Sequence, residues 1–136
     1  MLAVTIHDMQ EREGGGWLAV DLIHVLKLFE PEVLASSWQC RHFWCIPRFG
    51  NEARDGSEQG TWMSGPEVLH WAAGWQQVID GEFIGIRETE KSPWLVVLAV
   101  DSTYYVVLAR ETRFLDRVRE RFKDVRPSPE YAEQYA

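Results

Sequence analysis

A chain of 136 residues can build one hydrophobic core but is short for two, so a single domain is expected. With 46% hydrophobic and 26% charged residues it is not a disordered polymer, and none of its apolar runs approaches the ~20 residues of a membrane helix. The net charge of −7 weighs against general nucleic-acid binding, because an acidic surface repels phosphate.

That charge is uneven. Residues 110–126 hold seven Arg or Lys against four Asp or Glu, a local +3 that leaves −10 on the remainder. The segment from Met1 to Gln10 lacks the basic start and apolar stretch of an export signal, so a cytoplasmic protein is expected.

In chain order, Leu2, Val4 and Ile6 alternate as in a short edge strand, followed by the glycine-rich turn Gly14-Gly15-Gly16. Leu22, Val25, Leu26 and Phe29 recur at helical spacing, predicting a helix from Leu18 to Phe29 that Pro31 ends or kinks. Trp38 to Ile46 has strand character, with Trp38, Cys40, His42, Trp44 and Ile46 assigned to one face and Phe43 and Cys45 to the other. Cys40 and Cys45 would then lie about 16 Å apart at about 3.3 Å per residue, on opposite faces and beyond disulfide reach. Residues 48–61 form a polar loop or a hairpin turning at Asp55-Gly56.

Ser64-Gly65-Pro66-Glu67 is a capping box, and the helix it opens is predicted to run through Trp71, Trp75 and Ile79 to a stop at Asp80-Gly81. Glu82 to Arg87 is a strand. Trp94–Val100 and Tyr104–Ala109, joined by Asp101-Ser102-Thr103, are apolar on both faces, which predicts a central hairpin covered on each side. The last helix, Thr112 to Phe122, buries Phe114, Leu115 and Val118, and sets Arg113, Arg117 and Arg121 beside Asp116, Glu120 and Asp124. Residues 1–126 thus form one α+β domain, a mixed or mainly antiparallel sheet packed by about three helices, with 127–136 a mobile tail.

None of the catalytic candidates has an enforcing motif. Cys40 and His42, with His7 or His70, have the donor chemistry of a soft metal site but no second paired motif, so packing is the better account and no metal or cofactor is assigned. Cys45 or Ser102 would need His70 or His24 as a base, and no spacing ensures it. His70 with Glu67 or Asp80 is the acid–base set of a rival reading, a small hydrolase or ligand-binding enzyme. Gly14-Gly15-Gly16 lacks a phosphate-loop pattern.

The unusual feature is seven tryptophans. Trp44, Trp71 and Trp75 are expected in the core, whereas Trp17 and Trp62 lie at loop margins where burial is not forced, and Trp is enriched in interface hot spots. With the acidic loop residues Glu52, Asp55 and Glu58 they form the expected binding surface. The run Gln77-Val78-Ile79-Asp80-Gly81-Glu82-Phe83, then Pro93-Trp94, Val100-Asp101-Ser102 and Arg121-Phe122-Lys123-Asp124-Val125, resembles a group of small bacterial proteins of no established function. That resemblance covers the C-terminal half and implies a bacterial cytosolic domain, with no catalytic residue carried over. The expectation is a non-enzymatic protein-binding module of the immunity type, directed at a basic partner, with self-association as a further possibility and no nucleic acid or membrane.

Overall fold

The computed structural model describes residues 1–12, 15–47, 54–55 and 60–135. The chain forms β1 (Leu2–Ile6), β2 (Met9–Arg12), β3 (Gly15–Leu18), α1 (Leu22–Leu28), α2 (Glu30–Leu34), β4 (Ser36–Pro47), β5 (Arg54–Asp55), β6 (Thr61–Ser64) and α3 (Gly65–Ala73). The second half forms β7 (Trp75–Arg87), β8 (Pro93–Val100), β9 (Tyr104–Ala109), α4 (Thr112–Arg121), β10 (Val125–Pro127) and α5 (Pro129–Ala132), ending in a 3₁₀ turn. The class is α+β, with a large antiparallel sheet ordered β10-β1-β9-β8-β7-β4-β5, and β6 also paired to β4. β2 and β3 make a separate two-stranded ribbon. No helix among the described residues is long and apolar enough to cross a membrane.

Local sequence sets most helix boundaries. α1 begins later than Leu18, at a capping box on Asp21 and His24, and breaks at Phe29 so that Pro31 falls in the first turn of α2. α3 opens at Ser64, whose Oγ accepts the Glu67 N–H at 3.2 Å while Glu67 Oε1 accepts the Ser64 N–H. It stops at Gly74, well short of Asp80-Gly81, and Trp75, Val78 and Ile79 belong to β7. Pairing with the long β4, down to Pro47↔Trp75, overrides the helical spacing of Trp71, Trp75 and Ile79.

The largest departure from simple alternation lies in β4. Its pairing with β7 shifts register between Arg41 and Trp44, and His42 takes a left-handed φ of 51°. Such a bulge inserts an extra residue and reverses the phase of every side chain beyond it. Trp38 and Cys40 are buried before it, Phe43 and Cys45 after it, and Trp44 and Ile46 turn outward. Trp44 is therefore 51% exposed and not a core residue, and the two cysteines lie on the same buried side although they are five apart. β5 and β6 both pair antiparallel to β4, with Asp55 in β5, while Gly56 of the expected turn lies outside the described residues.

Two cores result. On one face, Ile6, Trp38, Phe83, Val97, Tyr105 and Val107 of the sheet pack beneath α1 to α4, which contribute Leu22, Leu26, Val33, Val68 and Phe114. Trp94 meets Phe29, Trp38 and Phe114 at ring separations of 5.1–6.3 Å, and its indole N–H donates to Ser36 Oγ at 2.8 Å, so the polar tip is satisfied while the ring is buried. On the opposite face Ala3, Ile84, Val96, Val106 and Leu108 form a smaller cluster, joined by Tyr131 and Ala132 of α5. Of residues 127–136, Pro127 pairs with Val4 of β1, and the Tyr131 hydroxyl lies 2.6 Å from that of Tyr104. Along α4, Arg117 reaches across to Glu32 of α2 at 2.9 Å, whereas Arg119 pairs with Asp116 of its own helix.

Close packing of α2 on α3 separates two glycines. A Cβ on Gly65 would collide with the Val33 carbonyl oxygen and the Leu34 backbone, whereas one on Gly74 would meet only ordinary contact at 3.4 Å. Gly65→Ala should cost about 2 kcal/mol or more and Gly74→Ala about 0.5 kcal/mol or less, measured by urea midpoints at unchanged m.

Candidate functional site

The strands of the sheet do not end together. β8 pairs with β7 only from Gly81 onward, so residues 75–80 of β7 run past its end. The start of α1 and the β2–β3 ribbon stand beside that stretch, leaving a cavity of about 360 Å³ lined by Trp17, Asp21, His24, Gln76, Gln77 and Ser102 among others.

Asp21 joins the walls. Its Oδ1 accepts the Leu22 N–H at 2.9 Å, the Val78 N–H at 3.1 Å and the Tyr105 hydroxyl at 2.9 Å, linking α1, β7 and β9. Burial pushes its pKa up from the ordinary carboxylate value, opposed by these hydrogen bonds. Burial, and then the Asp21 charge, push the Tyr105 hydroxyl well above its usual range, so it remains a donor. The Asp21 N–H donates to His24 Nδ1 at 2.9 Å. With that nitrogen occupied as an acceptor, the neutral His24 ring carries its proton on Nε2.

Ser102 reaches the cavity rim through the β8–β9 turn. Asp101 and Ser102 have φ of 48° and 57°, and Thr103 N–H donates to the Val100 carbonyl at 2.8 Å, a type I′ geometry suited to a twisted hairpin. Such backbone is unfavourable for non-glycine residues. Asp80 Oδ1 accepting the Asp101 N–H at 2.8 Å, and the Ile79 carbonyl accepting the Ser102 N–H at 3.0 Å, offset the strain.

Asp21, His24 and Ser102 share a cavity without the connections of a nucleophilic triad. The Asp21 carboxylate holds backbone and Tyr105, and the His24 nitrogen a triad would turn toward it accepts a backbone N–H instead. Cys45 is buried, and burial together with Asp21 and Cys40 pushes its thiol up to about 12; burial alone does the same to Cys40. Such thiols are poor nucleophiles. Cys40 and His42 do not converge, because the bulge leaves Cys40 in the core and His42 exposed.

The rival set is dispersed: Glu67 is engaged in the α3 cap, His70 is exposed on α3 and Asp80 braces the β8–β9 turn. Neither the cavity beside Asp21 nor a second one, at Arg87 and Arg110, is lined by any of the three. Of the expected binding residues, Trp17 lines the cavity and is 43% exposed, and Trp62 is 57% exposed on β6. Glu52, Glu58 and the Asp55 side chain lie outside the described residues.

Trp62 pairs with Gln39 of β4, between Trp38 and Cys40, which point into the helical core. Strand alternation therefore directs Trp62 to the opposite face, where the bulge also directs Trp44 and Ile46. Trp44 stands in register with Asp80, and on the same face Arg41 Nε donates to Glu82 Oε1 at 2.6 Å. Sequence reasoning missed Asp21, although an Asp directly before an apolar helical run is an N-cap signal. Gln76 and Gln77 carried no signal. A search of protein-family models, curated proteins and solved structures gives no match to this chain.

The Asp21 pKa is raised on folding, so this group favours the fold below its unfolded value and loses that contribution as pH climbs through the raised one. Asp21→Ala strands three donors and should cost about 2–3 kcal/mol in chemical denaturation at neutral pH. Asp21→Asn keeps an acceptor oxygen without a charge and should cost much less, with wild type gaining on it as pH falls. Cys40 and Cys45 should resist a thiol reagent at pH 8 in the native protein and react on unfolding, a contrast read by absorbance.

Proposed function

We propose that this chain is a non-enzymatic protein-binding module of the immunity type. It would dock a basic partner on the sheet face opposite the four-helix layer, at the β4–β6 end. The observation that carries this reading is the joint exposure of Trp44 at 51%, Ile46 at 38% and Trp62 at 57% on that face. α5 lies toward the other end, over β1 and β9. Large aromatics exposed on one face are costly to leave in water and dominate interface energetics when buried.

The partner's sign follows from charge. The chain is −7 overall and −10 outside residues 110–126, and Asp80 stands in register with Trp44. A basic surface would be steered to this body by its overall charge. The rival hydrolase built on His70 has no comparable support, because its carboxylates are spent on a helix cap and a turn. Self-association through the same aromatics would appear as a doubled solution mass.

The test is quantitative co-purification of the tagged chain from its source cells, beside the double variant Trp44→Ala/Trp62→Ala. A basic partner should be captured by the wild type and released as salt rises. Each tryptophan should contribute about 2 kcal/mol to its affinity. The proposal fails if nothing distinguishes the two baits, or if what they distinguish is acidic.

A further inference from the structure

The cavity beside Asp21 has its own chemistry, although Gln77 of its lining stands in register with Ile46 of the outer sheet face. Its volume of about 360 Å³ falls within the roughly 300–1,000 Å³ of small-molecule sites. Among the described lining residues there is no Lys or Arg, and the one carboxylate is Asp21. Among these described residues no cation offsets the Asp21 carboxylate for a phosphate, sulfate or carboxylate.

Cations fare little better. Asp21 Oδ1 already accepts from three donors, and His24, by accepting at Nδ1, offers an N–H at Nε2. The remaining polar lining is neutral and two-sided: the amides of Gln10, Gln76 and Gln77 and the hydroxyl of Ser102 both donate and accept. Such a set matches a ligand whose own groups do both, and hydroxyls have that property.

Shape narrows the class further. One indole, Trp17, lines the described wall, beside Leu18, Val20 and Val78. A flat heterocycle is best held between two apolar planes, whereas a pyranose ring offers one C–H face to an aromatic wall and turns its hydroxyls to the amides. We propose that this cavity binds a neutral saccharide of one or two rings, independently of the outer sheet face.

The experiment is saturation-transfer NMR on the full chain with lactose, maltose, cellobiose and N-acetylglucosamine, run beside adenosine, arginine and glucose 6-phosphate. At least one neutral sugar should bind saturably at about 1 mM or tighter, and glucose 6-phosphate more weakly than any sugar that binds. Trp17→Ala and Gln76→Ala should each weaken that binding about tenfold, with melting temperatures unchanged because both side chains are exposed. No saturation by any of the four sugars up to about 10 mM overturns the proposal. So does binding undiminished in both variants, or a preference for adenosine or arginine.

Discussion

The carboxylate of Asp21 connects parts of the molecule that neighbour one another nowhere in sequence. It caps α1, takes the Val78 N–H that β8 leaves uncovered on β7, and receives the hydroxyl of Tyr105, which is almost wholly buried in β9. A buried charge is costly unless its hydrogen-bonding capacity is filled, and here three elements fill it together. Without that junction the Val78 N–H of β7 would lose its partner, and α1 would be held to the sheet by its buried apolar side chains alone. Asp21 and one of its donors, Val78, also line the cavity beside them.

A second constraint acts through β4. The extra residue at His42 reverses the strand's alternation, so one strand supplies core side chains from two registers and delivers Trp44 and Ile46 to the opposite face. Both cysteines end in the same apolar layer, where burial raises their thiols to about 12. The bulge therefore trades a continuous apolar stripe for two functional consequences, inert thiols inside and an aromatic surface outside. Bulges are common where a strand must re-aim a side chain.

The two surfaces differ in what they can recognise. The outer face exposes Trp44, Ile46 and Trp62, the kind of side chain that anchors a macromolecular partner in the proposed reading. The cavity offers small volume and neutral amides, which suits a ligand recognised by matched hydrogen bonds. Neither assembles a nucleophile with a base, since His24 is committed to a helix cap and Ser102 to a strained turn.

Composition and local pattern by themselves determined the α+β class, the capping box at Ser64, the amphipathic α4 and the two apolar runs of β8 and β9, because these depend on neighbours within a few residues. The surplus of tryptophan and the acidity outside residues 110–126 were equally legible. Tertiary structure alone decided where helix gives way to strand at Gly74. Trp75 to Ile79 suit either form, and pairing with β4 outweighs their helical spacing. It also decided which tryptophans are exposed, because a one-residue bulge inverts a strand without leaving a mark in its composition. The cavity was the least legible feature of all, since Trp17, His24, Gln76 and Ser102 come from four separate segments and meet only through the reach of β7 beyond β8 and the bonds of one carboxylate.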